Sequence, residues 1–310
     1  MRGVAKWSNR HLIFEPEGQK SWFVSHAALP IADHLADDCY RIYFSGRDDM
    51  GRAQIGYFDV DVTTPNDVLR ISDTPVLGLG ELGCFDDAGV TSSWIVNHRG
   101  RKYLYYSGWT RGVSIPFYFF IGLAISEDEG RSFRRISLAP ILERNAVDPY
   151  LTGSPCVLIE GGTWRMWYVS GTGWAPAPGN PTHRYHIKYA ESKDGIRWNR
   201  RGLVCIDYAT ADEYAIARPT VIKDGRTYRM WFCCRGDAYR LGYAESTDGI
   251  RWKRNDTLAG LAPSPAGWDS EMIAYPFVFR HGGDLHLLYN GNGYGRTGIG
   301  SAVVRARKAL

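Results

Sequence analysis

The sequence predicts an all-β protein assembled from five copies of one four-stranded unit, and three observations carry that prediction. A hairpin segment is duplicated: Tyr189 to Trp198 reads YAESKDGIRW and Tyr243 to Trp252 reads YAESTDGIRW. Five aromatic strands follow one another at regular intervals, each ending near Ser-Gly, Arg-Gly or Asn-Gly. The composition, with 35 glycines and an aromatic fraction of 14% that includes 19 Tyr and 11 Trp, favours strands, tight turns and stacking surfaces.

Taken in order, each unit starts with an apolar strand, most copies of which carry a proline: HAALPIA, GVTSSWIV, GSPCVLI, ARPTVI and AYPFVF. The aromatic strands come next and read YRIYFSG from Tyr40, KYLYYSG from Lys102, WRMWYVSG from Trp164, YRMWFCCRG from Tyr228 and LHLLYNGN from Leu285. Their alternation suits a pleated sheet. After a variable polar loop comes the third strand, which leads into the duplicated hairpin; a looser copy is LAISEDEGRSF from Leu123, and degenerate copies start at Ile55 and Ile299. Pro155, Pro219 and Pro276 fall about 60 residues apart, and 310 residues divided by five is 62. Such a unit, repeated five times without helical pattern between copies, predicts a five-bladed β-propeller forming a single domain over residues 1–310. The last unit stops after its third strand, so the segment from Lys6 to Phe14 is expected to supply the outer strand and close the ring.

Hydrophobic residues at 44%, charged residues at 23% and a mean hydropathy of -0.30 exclude an extended disordered chain and a membrane bundle. Thirty-seven Lys and Arg against 33 Asp and Glu leave a net charge of +4, too small and scattered for a nucleic-acid footprint. No apolar run is long enough for a signal-peptide core or a membrane span, so a cytoplasmic location is expected. The six cysteines contain no CxxC pair and read as buried, reduced thiols. Asp194, Asp248 and Gly249 read as turn-forming residues of the duplicated hairpin.

In a propeller the first strands line the central channel, and the loops entering them gather at one mouth with the loops between the second and third strands. Four of the five entering loops carry acids: Asp86 and Asp87, Asp148, Asp212 with Glu213, and Asp269 with Glu271. Clustered carboxylates split their pKa values, leaving one as an acid and another as a base or nucleophile, the division that glycoside cleavage uses. The candidate acids and bases are therefore Asp87, Asp148, Asp212, Glu213 and Glu271, with Arg218 and Tyr275 orienting a carbohydrate substrate. Asp86, Ser154 and Asp269 join the substrate-binding set from the same loops, and the opposite loops add Trp109, Arg111, Trp174, Arg235 and Asn292. Indole faces stack on sugar rings, and Arg and Asn bind hydroxyl pairs or anions. The insertion GTGWAPAPGNPTHRYH is the candidate specificity loop, and near it His186 and Lys188, two apart on one strand face, form a candidate anion site. No metal-ligand spacing, dinucleotide loop or nucleophile elbow occurs, so no cofactor is expected.

Five units, Pro-marked inner strands, Asp-Gly hairpins before Trp and acids at one mouth resemble the five-bladed propeller superfamily of arabinanases, β-fructosidases and β-mannoside phosphorylases. The hairpins themselves resemble the Asp boxes of propeller proteins. The resemblance implies a glycosidase fold and a glycoside substrate, and in some relatives a channel calcium that no dense ligand set here requires. It also exposes departures: the first-blade Asp of arabinanases and fructosidases is replaced by the stretch Ser25 to Pro30, and the third-blade acid by Gly153 and Ser154. The phosphorylases in the superfamily use one Asp acid and basic residues around inorganic phosphate as co-substrate, a scheme in which Asp87 would be the acid and Arg111, Arg218 and Arg235 would hold phosphate. Three readings therefore stay open: a two-carboxylate glycosidase, a single-acid phosphorylase, and a non-catalytic glycan-binding propeller of polysaccharide metabolism.

Overall fold

The computed structural model describes residues 6–306 apart from Glu17 and Gln19; Met1 to Ala5 of the amino-terminal segment lie outside the described residues. The strands are β1 (Ser8–Phe14), β2 (Ser25–Ala36), β3 (Cys39–Arg47), β4 (Ala53–Asp61), β5 (Val68–Ile71), β6 (Gly89–His98), β7 (Arg101–Arg111), β8 (Phe117–Ser126), β9 (Arg134–Arg135) and β10 (Thr152–Glu160). They continue as β11 (Thr163–Ala175), β12 (Thr182–Ser192), β13 (Trp198–Ile206), β14 (Ala215–Asp224), β15 (Thr227–Arg235), β16 (Tyr239–Ser246), β17 (Lys253–Arg254), β18 (Ala274–His281), β19 (Asp284–Asn290) and β20 (Ile299–Val304). Helical structure among the described residues is confined to a 3-10 turn at Asp256–Leu258 and a single turn, α1, at Asn292–Gly295. No helix is long and apolar enough to cross a membrane.

Antiparallel pairing organises these strands into four-stranded groups: β2 to β5, β6 to β9, β10 to β13, β14 to β17, and β18 to β20 completed by β1. The first two groups share a sheet through one parallel residue pair, Ala53 with Gly89, and the next two through Tyr185 with Ala215. The amino-terminal strand pairs antiparallel with β20, His11 facing Ser301, as the truncated last unit required. Neighbouring first strands pack against one another from β2 through β6, β10 and β14 to β18, and β18 packs against β2. Asn290, fully buried, ties this last contact: its amide group donates to the carbonyls of Ala27 and Gly298 and accepts from the Leu29 N–H at 2.8 Å.

The aromatic second strands depart from simple alternation. Ile42, Tyr43 and Phe44 on β3, and Leu104, Tyr105 and Tyr106 on β7, are consecutive and fully buried. Each group is covered on both faces by its neighbours, so both sides of its inner strands meet apolar surface. The hydroxyls that this burial strands are satisfied by turn carbonyls of the next group: Tyr43 donates to Gly130 and Tyr105 to Gly195. The duplicated hairpins thus have a packing duty. In each, a Ser hydroxyl and an Asp carboxylate tie the turn, Asp194 Oδ1 accepting the N–H groups of Ile196 and Arg197 while Gly195 takes φ of 74°.

Candidate functional site

All five first strands carry a register break near their midpoint, between Ala28 and Ile31, Ser92 and Trp94, Gly153 and Cys156, Ala217 and Thr220, and Ala274 and Phe277. In four of them a residue before proline occupies the left-handed region: Leu29 at 54°, Ser154 at 43°, Arg218 at 58° and Tyr275 at 55°. A following proline disfavours the right-handed helical region, and a bulge re-aims the side chain at the break. Positive φ at a non-glycine residue costs roughly 1–3 kcal/mol and persists only where the surroundings fix it. Here Ser154 N–H is held by the Ser107 hydroxyl and Leu29 N–H by Asn290.

These bulges build the floor of a cleft of about 250 Å³. Leu29, Thr91, Ser154, Ala217 and Tyr275 supply the floor, and Arg47, Trp109, Phe117, Phe119 and Tyr185 the walls. Gly89 makes room for Trp109, since a methyl group there would collide with the indole. Phe117 and Phe119 stack at 5.3 Å, with Trp174 and His183 packed edge-on or tilted behind Phe117. The Tyr185 ring carries His183 on its face at 4.8 Å and shares a 2.6 Å hydrogen bond with the Tyr239 hydroxyl. Burial, and secondarily the charge of Arg235, lowers the His183 pKa to about 4, so the imidazole is neutral at pH 7.

Directly beneath the floor lies Arg218, 1% exposed and without a carboxylate partner among the described residues. Its guanidinium donates to the carbonyls of Ser92 and Ser93 on β6 at 3.0 and 2.7 Å and of Pro30 on β2 at 3.0 Å. One side chain of β14 therefore ties three first strands, β14, β6 and β2, together. Burial pulls its pKa down to about 10, which leaves it protonated at neutral pH.

The cleft lining contains no carboxylate among the described residues. Four of the acids read from the sequence instead sit in a repeated network. Asp86 accepts from Tyr106 at 3.0 Å and Arg135 at 2.7 Å, and Asp269 from Tyr289 at 2.9 Å and Arg10 at 3.1 Å. Asp148 accepts from Tyr168 at 3.0 Å, Ser170 at 2.7 Å, Lys188 at 3.2 Å and Arg200 at 3.1 Å. The acid precedes the second strand's Tyr by 20 residues each time, and the Arg comes from the outer strand of the same group. In the fourth group Phe232 takes the Tyr position, and Glu213 pairs with Arg254 at 2.6 Å and accepts the Ala209 N–H at 2.7 Å; burial opposes its ionisation, but those hydrogen bonds hold its carboxyl below the usual range. Burial first, and the adjacent carboxylate second, raise the pKa values of Tyr106, Tyr168 and Tyr289, so these phenols are donors throughout the physiological range.

Of the other expected site residues, Trp109, Ser154 and Tyr275 are brought together in the cleft. Arg235 lies one layer behind, between the rings of Tyr214, Tyr239 and Tyr294. His186 pairs with Asp207 at 3.2 Å and Lys188 with Asp148 at 3.2 Å, so each already faces a carboxylate of this protein where an anion was expected. Arg111 donates to the Met50 carbonyl, and Asn292 holds the Glu271 N–H and the Gly267 carbonyl. Asp87 is half-buried with one partner, the Gly83 N–H at 3.0 Å, and Asp212 and Glu271 are exposed. Among the described residues the grouping of metal-type donors Glu213, Cys234 and Asp256 already holds the Arg254 guanidinium, which pairs with both acids at 2.6 Å. Arg47, read from the opposite loops of the sequence, does line the cleft, whereas sequence reasoning missed Thr91, Phe117, Phe119 and Tyr185; the period-two pair Phe117 and Phe119 at the mouth end of a third strand was the available signal.

No protein-family model matches the chain. Solved structures that it resembles are glycoside hydrolases: a glycosyl hydrolase from Bacteroides ovatus (TM-score 0.71, 14% identity, 99% of this chain and 96% of that one) and a thermostable family-43 glycoside hydrolase (0.65, 15%, 93% and 92%). A β-fructofuranosidase from Bombyx mori in complex with sucrose matches at 0.65 with 15% identity, over 93% of this chain and 62% of that one. At these identities the likeness is one of fold. The sequence is 43% identical over 298 residues to the uncharacterised protein Rv1502 of Mycobacterium tuberculosis strain H37Rv, and equally to MT1551 of strain CDC 1551, over 96% of this chain and 99% of each relative. Across its whole length, then, this chain belongs to the family of Rv1502.

Proposed function

We propose that the chain is a single five-bladed β-propeller, closed by β1, that binds a carbohydrate in the cleft at its channel mouth. The five antiparallel groups and the packing of β18 on β2 support the blade count and the closure. The observation that carries the function is the cleft wall, in which Trp109, Phe117, Phe119 and Tyr185 present ring faces or edges beside the donors of Arg47, Thr91 and Ser154, on a fold shared with glycoside hydrolases. Flat apolar faces flanked by oriented hydrogen-bonding groups are how proteins hold pyranose rings. Six cysteines, all unpaired, agree with a reducing, cytoplasmic setting. Glycan-panel titration tests the reading: Trp109→Ala is expected to weaken the best ligand about tenfold, the scale of one lost ring contact. Unchanged affinity would place the sugar elsewhere.

A second reading, bond cleavage with Asp87 as the single acid, draws support from one observation. Asp87 has one free carboxylate oxygen and lies next to Ala88, whose N–H bonds the carbonyl of Trp109. Under this reading wild-type protein converts a glycoside to sugar phosphate only when inorganic phosphate is present, and Asp87→Asn lowers turnover at least about a hundredfold. Product formation unaffected by Asp87→Asn would remove it.

A further inference from the structure

Most buried or half-buried arginines in this protein are neutralised. Arg10, Arg41, Arg135, Arg165, Arg200 and Arg254 each have a carboxylate within ion-pair distance. Around the cleft the pattern reverses. Arg218 under the floor, buried, and Arg235 behind Tyr239, half-buried, have no carboxylate partner among the described residues, and neither do the exposed Arg47 on the wall and Arg296 just after α1. Their positions are linked. Arg47 and Arg296 both bear electrostatically on His26, whose pKa burial and these two charges lower to about 4, and Arg47 also acts on Tyr275. Tyr275 packs on Tyr239 at 5.7 Å, and Tyr239 packs on Tyr294 at 6.1 Å, with the Arg235 guanidinium 5.6 and 5.4 Å from those two rings.

Two buried polar atoms in this layer also lack partners, Nε of Arg235 and Nε2 of His183. Asp237, exposed and next to Tyr214, makes no ion pair with Arg235. Like charges gathered beside a low-dielectric wall repel, and their field is focused into the cleft. A bound anion would offset that repulsion through charge-assisted bonds for which planar guanidinium groups are well shaped.

We propose that the cleft takes a sugar that carries a negatively charged group, a phosphate or a carboxylate, and that Arg47 on the cleft wall holds that charge, with Arg235 and Arg296 behind it adding their field, while Trp109 and Phe119 hold the ring. This rests on the cleft being the sugar site. The ligand class is narrower than a neutral glycan, and the proposal requires no bond to be made or broken.

Calorimetric titration of the full chain with hexose 1-phosphates, hexuronates, neutral methyl hexosides and inorganic phosphate alone separates the sources of charge. A hexose 1-phosphate or a hexuronate is expected to bind at least about tenfold tighter than its neutral counterpart at about 0.05 M salt, with the advantage shrinking at about 0.5 M. Arg47→Met and Arg235→Met should each weaken the charged ligand more than its neutral counterpart and so cut that advantage, and a Trp109→Ala variant should weaken both ligands alike. Equal affinity for charged and neutral sugars, with Trp109 still required, overturns the anionic ligand and leaves the sugar site. Inorganic phosphate binding as tightly as the sugar phosphate overturns it in favour of a phosphate co-substrate. No binding by any member overturns both. Unfolding midpoints of the variants, expected within a few degrees of wild type, exclude misfolding as the cause.

Discussion

At Asp148 the carboxylate is fully buried and accepts from two neutral hydroxyls and two cations, whereas Glu271, one of the other acids at the mouth, is exposed and held through its backbone, the N–H by Asn292 and the carbonyl by Arg240. The same residue type, a mouth-side acid, therefore has opposite consequences when its charge is removed. Asp148→Asn leaves Lys188 and Arg200 buried without their counter-charge, a change that costs about 3–5 kcal/mol when a buried pair is broken. Urea unfolding is expected to show that loss, and Glu271→Gln to stay within about 0.5 kcal/mol of wild type, as exposed substitutions do. A destabilised Glu271→Gln or an unaffected Asp148→Asn would reverse the assignment of buried support and free acid. Arg218 has a different balance, because its own desolvation opposes its four carbonyl contacts. Arg218→Met relieves the buried charge but strands carbonyls of β2 and β6, each worth about 1–3 kcal/mol. A net loss of stability is expected, with Arg218→Lys falling between, and equal stability of Arg218→Met would mean the carbonyls find other donors.

At the level of strands and turns, the repeat was legible because its markers are backbone requirements. The duplicated Ser-x-Asp-Gly turn ties its own amides, and Asp248 Oδ1 accepts from Ile250 and Arg251 at 2.8 Å each. Asp248→Ala removes both acceptors and is expected to cost about 1–2 kcal/mol in denaturant unfolding, with no change in sugar affinity because the turn packs on Trp167 and Arg165, away from the cleft. The proline spacing likewise marked the bulged first strands, yet what the bulge does to the preceding residue was not readable. A pre-proline Leu, Ser, Arg or Tyr has no sequence signature for positive φ, so Leu29 and Ser154 looked like places where an acid was missing instead of the floor of the cleft. The acids were legible as residues and misleading as a cluster. Their Tyr partners lie 20 residues on and their Arg partners on the outer strand, a pairing that only the closed antiparallel group brings together. Arg47 was legible as a loop residue, but that it is unpaired was not: it lies in an Arg-Asp-Asp run in which Asp48 bonds Arg52 instead.

Across the whole molecule, two features bind the ends of the chain to its stability. The amino-terminal strand supplies Arg10 to Asp269, and its Phe14 stacks on Phe58 at 4.4 Å, joining the last group to the first. A chain beginning at Glu15 should lose cooperative unfolding, and a peptide of residues 6–14 added in excess should restore it; an unchanged unfolding midpoint without the peptide would show that the fold does not depend on β1. The second feature is pH. Burial is the largest cause lowering the pKa values of His26, His183 and His286 to about 4, with neighbouring Arg or His charges adding to it. In the unfolded chain each imidazole takes up its proton near pH 6.5. Between about 6.5 and 4 the unfolded state therefore binds more protons than the folded one, and stability must rise with pH through that window. Above it all three are neutral in both states and contribute no slope. Unfolding midpoints measured from pH 7 down to pH 4.5 should fall steadily once below about 6.5, and His183→Gln should flatten the descent without shifting its onset. A bound anionic sugar adds a counter-effect, because its charge beside Arg47 and Arg235 favours protonation of His26 and His183 and so lessens the acid sensitivity. An acid profile that the ligand leaves unaltered, under conditions where titration shows it bound, would place its charge away from these histidines.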